Sequence, residues 1–179
     1  MKYLLLIMAM LLTTCTTDIS VPVSKIVYNM IASTRTGNTA RKTDMVLKYS
    51  TKYKLDPFVF TRLGIAESSF VHTSANKVSG ARGIYAVHPK YWSHLCWVVC
   101  DGKYVNYLNR HNGTNYTKVM NFIGAGTEMG AIILRTYLNQ YGDYRSALYQ
   151  YGGWNAKRYK HRTNQRNKYV NKILVNDSF

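Results

Sequence analysis

The 179-residue sequence predicts a mainly α-helical domain. Three observations carry that expectation. Apolar residues recur with the 3.6-residue helical period in several segments. Capping residues stand just ahead of those segments. Strand-like patterning is confined to a short stretch near residues 97–107. Hydrophobic residues make up 46% of the chain, enough for one domain with a sizeable core.

Residues 1–14 read as an export signal. Lys2 precedes an apolar run, Tyr3 to Leu12, that is too short to span a bilayer comfortably. Leu12-Thr13-Thr14-Cys15 follows and looks like a bacterial lipobox, which would make Cys15 a lipidated membrane tether. The plainer alternative is a cleaved signal with an incidental cysteine. Residues 16–24 read as a tether and residues 25–179 as the folded domain. The first helix is expected over Lys25 to Ser33, with Ile26, Val27, Met30 and Ile31 inward, and Thr34 to Lys42 as a basic loop. Asp44 is expected to cap a helix running to about Tyr53. Asp56 is a second N-cap, with Pro57 at the first helical position, where its missing N–H costs nothing. Val59, Leu63 and Ala66 share one face of that helix, which ends at Glu67. Two helices joined by so short a turn form an αα-hairpin.

Asp101-Gly102, between Trp97-Val98-Val99 and Tyr104-Val105, has the look of a β-hairpin turn. Cys96 and Cys100 flank it. In an oxidising compartment they form an even pair that could bridge on a helix or irregular turn, but not along an extended strand. The two readings conflict. His94, Cys96, Cys100 and His111 match no standard zinc spacing, so no metal is expected. Tyr104, Tyr107 and Tyr116 could stack on sugar rings or simply pack at the surface. Beyond them, a long helix is expected from Asn121 to Tyr141, with Gly142 as its C-terminal stop. Asp143 caps a helix over Tyr144 to Tyr151, and a last helix spans Asn167 to Val175.

The chain carries 24 Lys and Arg against 8 Asp and Glu, a formal charge of +16. Lys157 to Lys172 is the densest basic segment. Such a field attracts polyanions. With an export signal, anionic polymers of the bacterial envelope are the expected partners, and not nucleic acid.

Glu67 is the only glutamate in the first two thirds of the sequence. A lone carboxylate at the end of an apolar helix is either a solvated terminal residue or an acid held in a dry place for proton transfer. Its neighbours favour the second. Glu67-Ser68-Ser69-Phe70 is followed by Gly80-Ala81-Arg82-Gly83-Ile84-Tyr85-Ala86-Val87-His88-Pro89, then Gly130-Ala131-Ile132-Ile133-Leu134, then Ala147-Leu148-Tyr149-Gln150-Tyr151-Gly152-Gly153. In order and spacing these segments resemble the soluble lytic transglycosylases, the SLT domain of the goose-type-lysozyme-like superfamily, over roughly residues 44–155.

The resemblance implies a lysozyme-like α-lobe with the 97–107 hairpin as an insertion. It implies cleavage of peptidoglycan glycan strands with formation of a 1,6-anhydro sugar, without cofactor, in the periplasm or cell envelope. A phage, secretion or conjugation assembly would be the user. Glu67 would be the acid/base and Tyr151 would orient it. Ser68, Ser69, Gly83, Ile84, Tyr85 and Ala86 would lie against substrate. Two family amides are missing: Tyr85-Ala86 stands for Met-Gln, and Gly152 stands for Asn. Gln150 is the candidate to replace one of them.

The acid inventory points the same way on chemical grounds. Hydrolytic glycosidases normally use two carboxylates. Asp44, Asp56 and Asp143 read as caps, and Asp18 and Asp177 lie near the ends, so only Asp101 and Glu128 could assist Glu67. Glu128 reads as a buried structural acid bonded to Ser79 or to backbone. Intramolecular attack by a sugar hydroxyl needs only one carboxylate. That acid must be desolvated and must not pair with Lys or Arg. A water-using muramidase, a non-catalytic wall-binding protein on the same fold and a nucleic-acid binder are the alternatives.

Overall fold

The computed structural model describes residues 21–113, 115–153 and 163–175. The export signal, Cys15, most of the tether and much of the basic C-terminal run lie outside the described residues. Among the described residues the protein is mainly helical. The elements are α1 (Val23–Ala32), α2 (Thr39–Lys52), α3 (Pro57–Ser68), α4 (Pro89–Trp92), a 3-10 helix (Ser93–Trp97), α5 (Val105–Arg110), α6 (Tyr116–Met120), α7 (Ile123–Tyr141), α8 (Tyr144–Tyr151) and α9 (Thr163–Leu174). Extended pairing is limited to two isolated antiparallel bridges, Ala75–Arg82 and Arg82–Val87. No described helix is long and apolar enough to cross a membrane.

Two of the expected caps are in place. Asp56 Oδ1 accepts from the Phe58 and Val59 N–H groups at 2.7 and 3.0 Å, with Pro57 at the first helical position. Asp143 Oδ1 accepts from Ser146 N–H at 2.9 Å. Asp44 is not a cap. Helix α2 starts five residues earlier, at Thr39, with Asn38 as the flanking residue in the left-handed region (φ 53°). Asparagine tolerates that conformation, so the turn can form there.

The 97–107 hairpin is replaced by the 3-10 helix, a turn and α5. Cys100, Asp101 and Gly102 have φ of 53°, 55° and 74°, and three successive left-handed residues cannot sit in a strand ladder. The turn is pinned from below, because Cys100 N–H donates to Glu128 Oε2 at 2.5 Å. Cys96 and Cys100 are free thiols, not a disulfide. Cys96 is buried with Sγ 3.9 Å from the Tyr116 carbonyl, whereas Cys100 Sγ lies 3.5 Å from the Tyr49 hydroxyl. The irregular turn gives the two sulfurs different neighbours.

Helix α7 is the centre of the packing and contacts α2, α6 and α8. Its Glu128 is 1% exposed and, of the two partners expected for it, is bonded to backbone and not to Ser79. It accepts from Lys52 Nζ at 2.6 Å and Tyr53 Oη at 2.8 Å, besides Cys100 N–H. Burial pushes this carboxyl up, but the three donors outweigh burial and hold it below the ordinary carboxylate value.

On the same helix, a Cβ added at Gly130 would lie 2.4 Å from the Tyr85 ring. Only glycine lets that ring in. Tyr85 is fully buried and stacks on Phe60 with ring centres 4.3 Å apart and planes 8° apart. Its hydroxyl has no hydrogen-bond partner among the described residues. Gly130→Ala should therefore cost about 2 kcal/mol or more, since overpacking strains a dense core. Tyr85→Phe should stabilise by about 1 kcal/mol, because it removes an unsatisfied buried hydroxyl and keeps the stack. Denaturant melts of the two variants check both signs.

Candidate active site

The last turn of α3 delivers Glu67. The helix closes with two left-handed residues, Ser69 (φ 52°) and Phe70 (φ 62°), whose N–H groups return to the carbonyls of Ile65 and Gly64. Ser68 Oγ donates to the Ile84 carbonyl at 2.6 Å and ties α3 to the next segment. That segment is a tight turn closed by the Arg82–Val87 bridge, with Gly83 at φ 75° and Ala86 at φ 47°. At Gly83 any Cβ would also strike the Met120 carbonyl, at 2.3 Å, so glycine is needed there twice over. Tyr151 Oη, from α8, donates to the Tyr85 carbonyl at 2.9 Å and locks the turn against that helix.

These ties enclose a groove of about 610 Å³. Glu67 lines it, with Ala86, Gln150, Tyr151, Gly152 and residues of the 74–81 and 88–92 segments. Among the described lining residues Glu67 is the sole carboxylate, and there is no Lys or Arg. Neither of the salt bridges found among the described residues involves it.

Glu67 is half-buried, and Tyr169 Oη donates to its Oε1 at 2.5 Å. Burial raises the carboxyl from 4.5 to about 7, with the Tyr169 hydrogen bond pulling the other way. Helix α9, which carries Tyr169, is moored to both neighbours. Arg62 Nε of α3 donates to the Ile173 carbonyl at 2.5 Å. Tyr149 Oη of α8 donates to Asn167 Oδ1 at 2.6 Å, and the Arg166 guanidinium lies 3.7 Å from the centre of the Tyr149 ring.

The residues expected at the site divide into two groups. Glu67, Ala86, Gln150 and Tyr151 line the groove. Ser68, Ser69, Gly83, Ile84 and Tyr85 do not. Ser68 is spent on the Ile84 carbonyl, and Ser69 is an exposed helix cap. Gly83, Ile84 and Tyr85 are buried behind the turn. Tyr151 does not hydrogen-bond Glu67, because its hydroxyl goes to the Tyr85 carbonyl. It remains close: burial and then the Glu67 charge push its phenol well above the ordinary value.

The phenol that holds the acid is Tyr169, which sequence reasoning missed. Its one signal was a tyrosine at the edge of the Val170–Ile173 apolar stripe in an otherwise polar helix. Tyr104, Tyr107 and Tyr116 are absent from the groove. Tyr104 stacks on Phe122 at 5.1 Å, and Tyr107 Oη accepts from Asn115. Tyr91, Trp92 and Tyr137 line the groove instead. Among the described residues no three of His, Cys, Asp and Glu gather at one point.

Tyr169→Phe removes the one group among the described residues that lowers the Glu67 pKa, so NMR titration of the carboxyl should find it above the parent value of about 7. A raised folded-state value also has a stability consequence. The stability supplied by the protonated acid is full below pH 4.5 and is lost as pH rises through about 7. Glu67→Gln, which stays neutral, should match the parent near pH 4. Above pH 7 it should be more stable by on the order of 2 kcal/mol, as thermal melts across that range would show. The chain matches no family model, no curated protein and no solved structure, which leaves the chemistry of Glu67 and its groove as the guide to function.

Proposed function

We propose that the protein is a peptidoglycan lytic transglycosylase built on a lysozyme-like α-lobe. The observation that carries this reading is Glu67: a carboxyl raised to about 7 by burial, clear of cations among the described residues, opening into a groove whose described lining holds no second carboxylate. Such a group is a general acid near neutral pH. Asp101 and Glu128 do not assist it, since both lie at the Lys52 cluster and neither lines the groove.

The reaction runs in two proton transfers. Protonated Glu67 gives its proton to the oxygen linking N-acetylmuramic acid C1 to N-acetylglucosamine. The C1–O bond breaks and the glucosamine leaves as an alcohol. The Glu67 carboxylate then takes the proton of the muramic acid 6-hydroxyl as that oxygen bonds to C1. The products are a 1,6-anhydro end and the original protonated acid, with no water consumed. Tyr169 holds the Oε1 atom throughout, and the dry surroundings favour the protonated form at the start of each cycle.

The export-signal pattern and the net charge of +16 suit work in the bacterial envelope, with Cys15 as a tether and a phage, secretion or conjugation apparatus as the user. Digestion of purified peptidoglycan tests the reading. The wild type should release muropeptides with anhydro ends, and Glu67→Gln should slow release at least ~100-fold. The rate should decline as pH rises past about 7, where the acid form is depleted. Reducing muramic acid ends would mean that water is the acceptor. Intact glycan with the wild type would mean a binding protein on this fold.

A further inference from the structure

The acid and its phenol leave one property of the groove unexplained: its lining is chemically divided. Ser74, Asn76 and Ser79 form a polar stretch, whereas Tyr91, Trp92 and Tyr137 form an aromatic one. The aromatic stretch continues to the acid. Trp92 meets Tyr137 edge-on at 6.1 Å, and Tyr137 meets Tyr151 at 6.4 Å. Tyr91 is 62% exposed, flanked by the His88 ring at 5.0 Å and the Lys90 ammonium at 5.6 Å from its ring centre. An aromatic ring left this open in a groove contributes little to the core and is available to a ligand.

In the polar stretch, one side chain has its orientation set. Asn76 Oδ1 accepts from the Val78 and Ser79 N–H groups, both at 2.9 Å. The oxygen is therefore committed, and the NH2 group remains as a donor seeking a carbonyl. Ala86 and Gly152 also line the groove, and neither has a polar side-chain group with which to hold a ligand.

A β-linked pyranose with equatorial substituents complements this division. Its faces are C–H surfaces that suit aromatic rings, and its rim is polar. We propose that Tyr91, Trp92 and Tyr137, together with Asn76, form a subsite for one N-acetylated pyranose unit of the glycan. The ring lies against the aromatic stretch, and the acetamido oxygen accepts from Asn76 Nδ2. This deepens the glycan-cleaving reading above and rests on it: the strand is gripped by stacking and a single amide contact beside Glu67.

The test is calorimetric titration of the full chain carrying Glu67→Gln, which leaves the sugar uncleaved. The probes are the β-1,4 tetramers of N-acetylglucosamine and of glucose. The acetylated tetramer should bind, and adding Tyr91→Ala or Trp92→Ala should weaken it at least tenfold. Trp92→Phe, which keeps a stacking face, should stay within about threefold. Asn76→Asp retains the acceptor for the turn but loses the donor. It should weaken the acetylated tetramer at least fivefold and leave the glucose tetramer unchanged.

The subsite is overturned if the acetylated tetramer does not bind, or if both aromatic variants, folded by circular dichroism, bind it as the parent does. The two readings fail separately. Anhydro products with unaltered binding in Tyr91→Ala and Trp92→Ala would remove the subsite and keep the enzyme. Binding lost in those variants, with no cleavage by the wild type, would keep the subsite and remove the enzyme.

Discussion

The hydrogen bond from Tyr169 to Glu67 joins residues 102 positions apart, and much of the site depends on it. It requires α9 to lie against α3, which the Arg62–Ile173 and Tyr149–Asn167 contacts enforce. In that position α9 lies against α3 and brings its phenol to the acid. Two effects then act on the carboxyl. Burial raises its pKa, while the phenol stabilises the anion and lowers it. Desolvation is the larger effect, and the acid ends near neutrality.

The two glutamates of the domain show how far surroundings govern an identical side chain. Glu128 is less exposed to solvent than Glu67, yet it is held as an anion, because Lys52, Tyr53 and a backbone N–H converge on it. Removing charge from water is tolerable when an opposite charge and further donors replace the solvent. Glu67 receives one neutral donor and no cation among the described residues, so its burial is not offset in that way. One carboxylate staples the Cys100 turn to the central helix. The other is free to exchange a proton.

The turn carrying the second motif is built by packing. Ser68, Gly83, Ile84 and Tyr85 lie close to the groove in sequence, yet each faces the protein interior or is tied to the backbone. Their work is to hold Ala86 and the Tyr85 carbonyl where α8 can meet them. Motif order drew attention to the segment, but which atoms of a tight turn face outward depends on its φ values, and two of those are left-handed.

Local chemistry was legible in the chain: Asp56 and Asp143 as caps, Gly142 as a stop, the apolar faces of the helices, and a solitary glutamate at the end of one of them. Those features rest on neighbours within one or two turns, so sequence alone determined them. The irregular segment at residues 97–104 was misread, because the tie that bends it comes from Glu128, far along the chain. Tyr169 as the partner of the acid, the diversion of Tyr151 to the Tyr85 carbonyl and the aromatic lining by Tyr91, Trp92 and Tyr137 were likewise decided only in three dimensions. Each needs helices distant in sequence to be brought together, and that choice belongs to the packing of the whole core around α7.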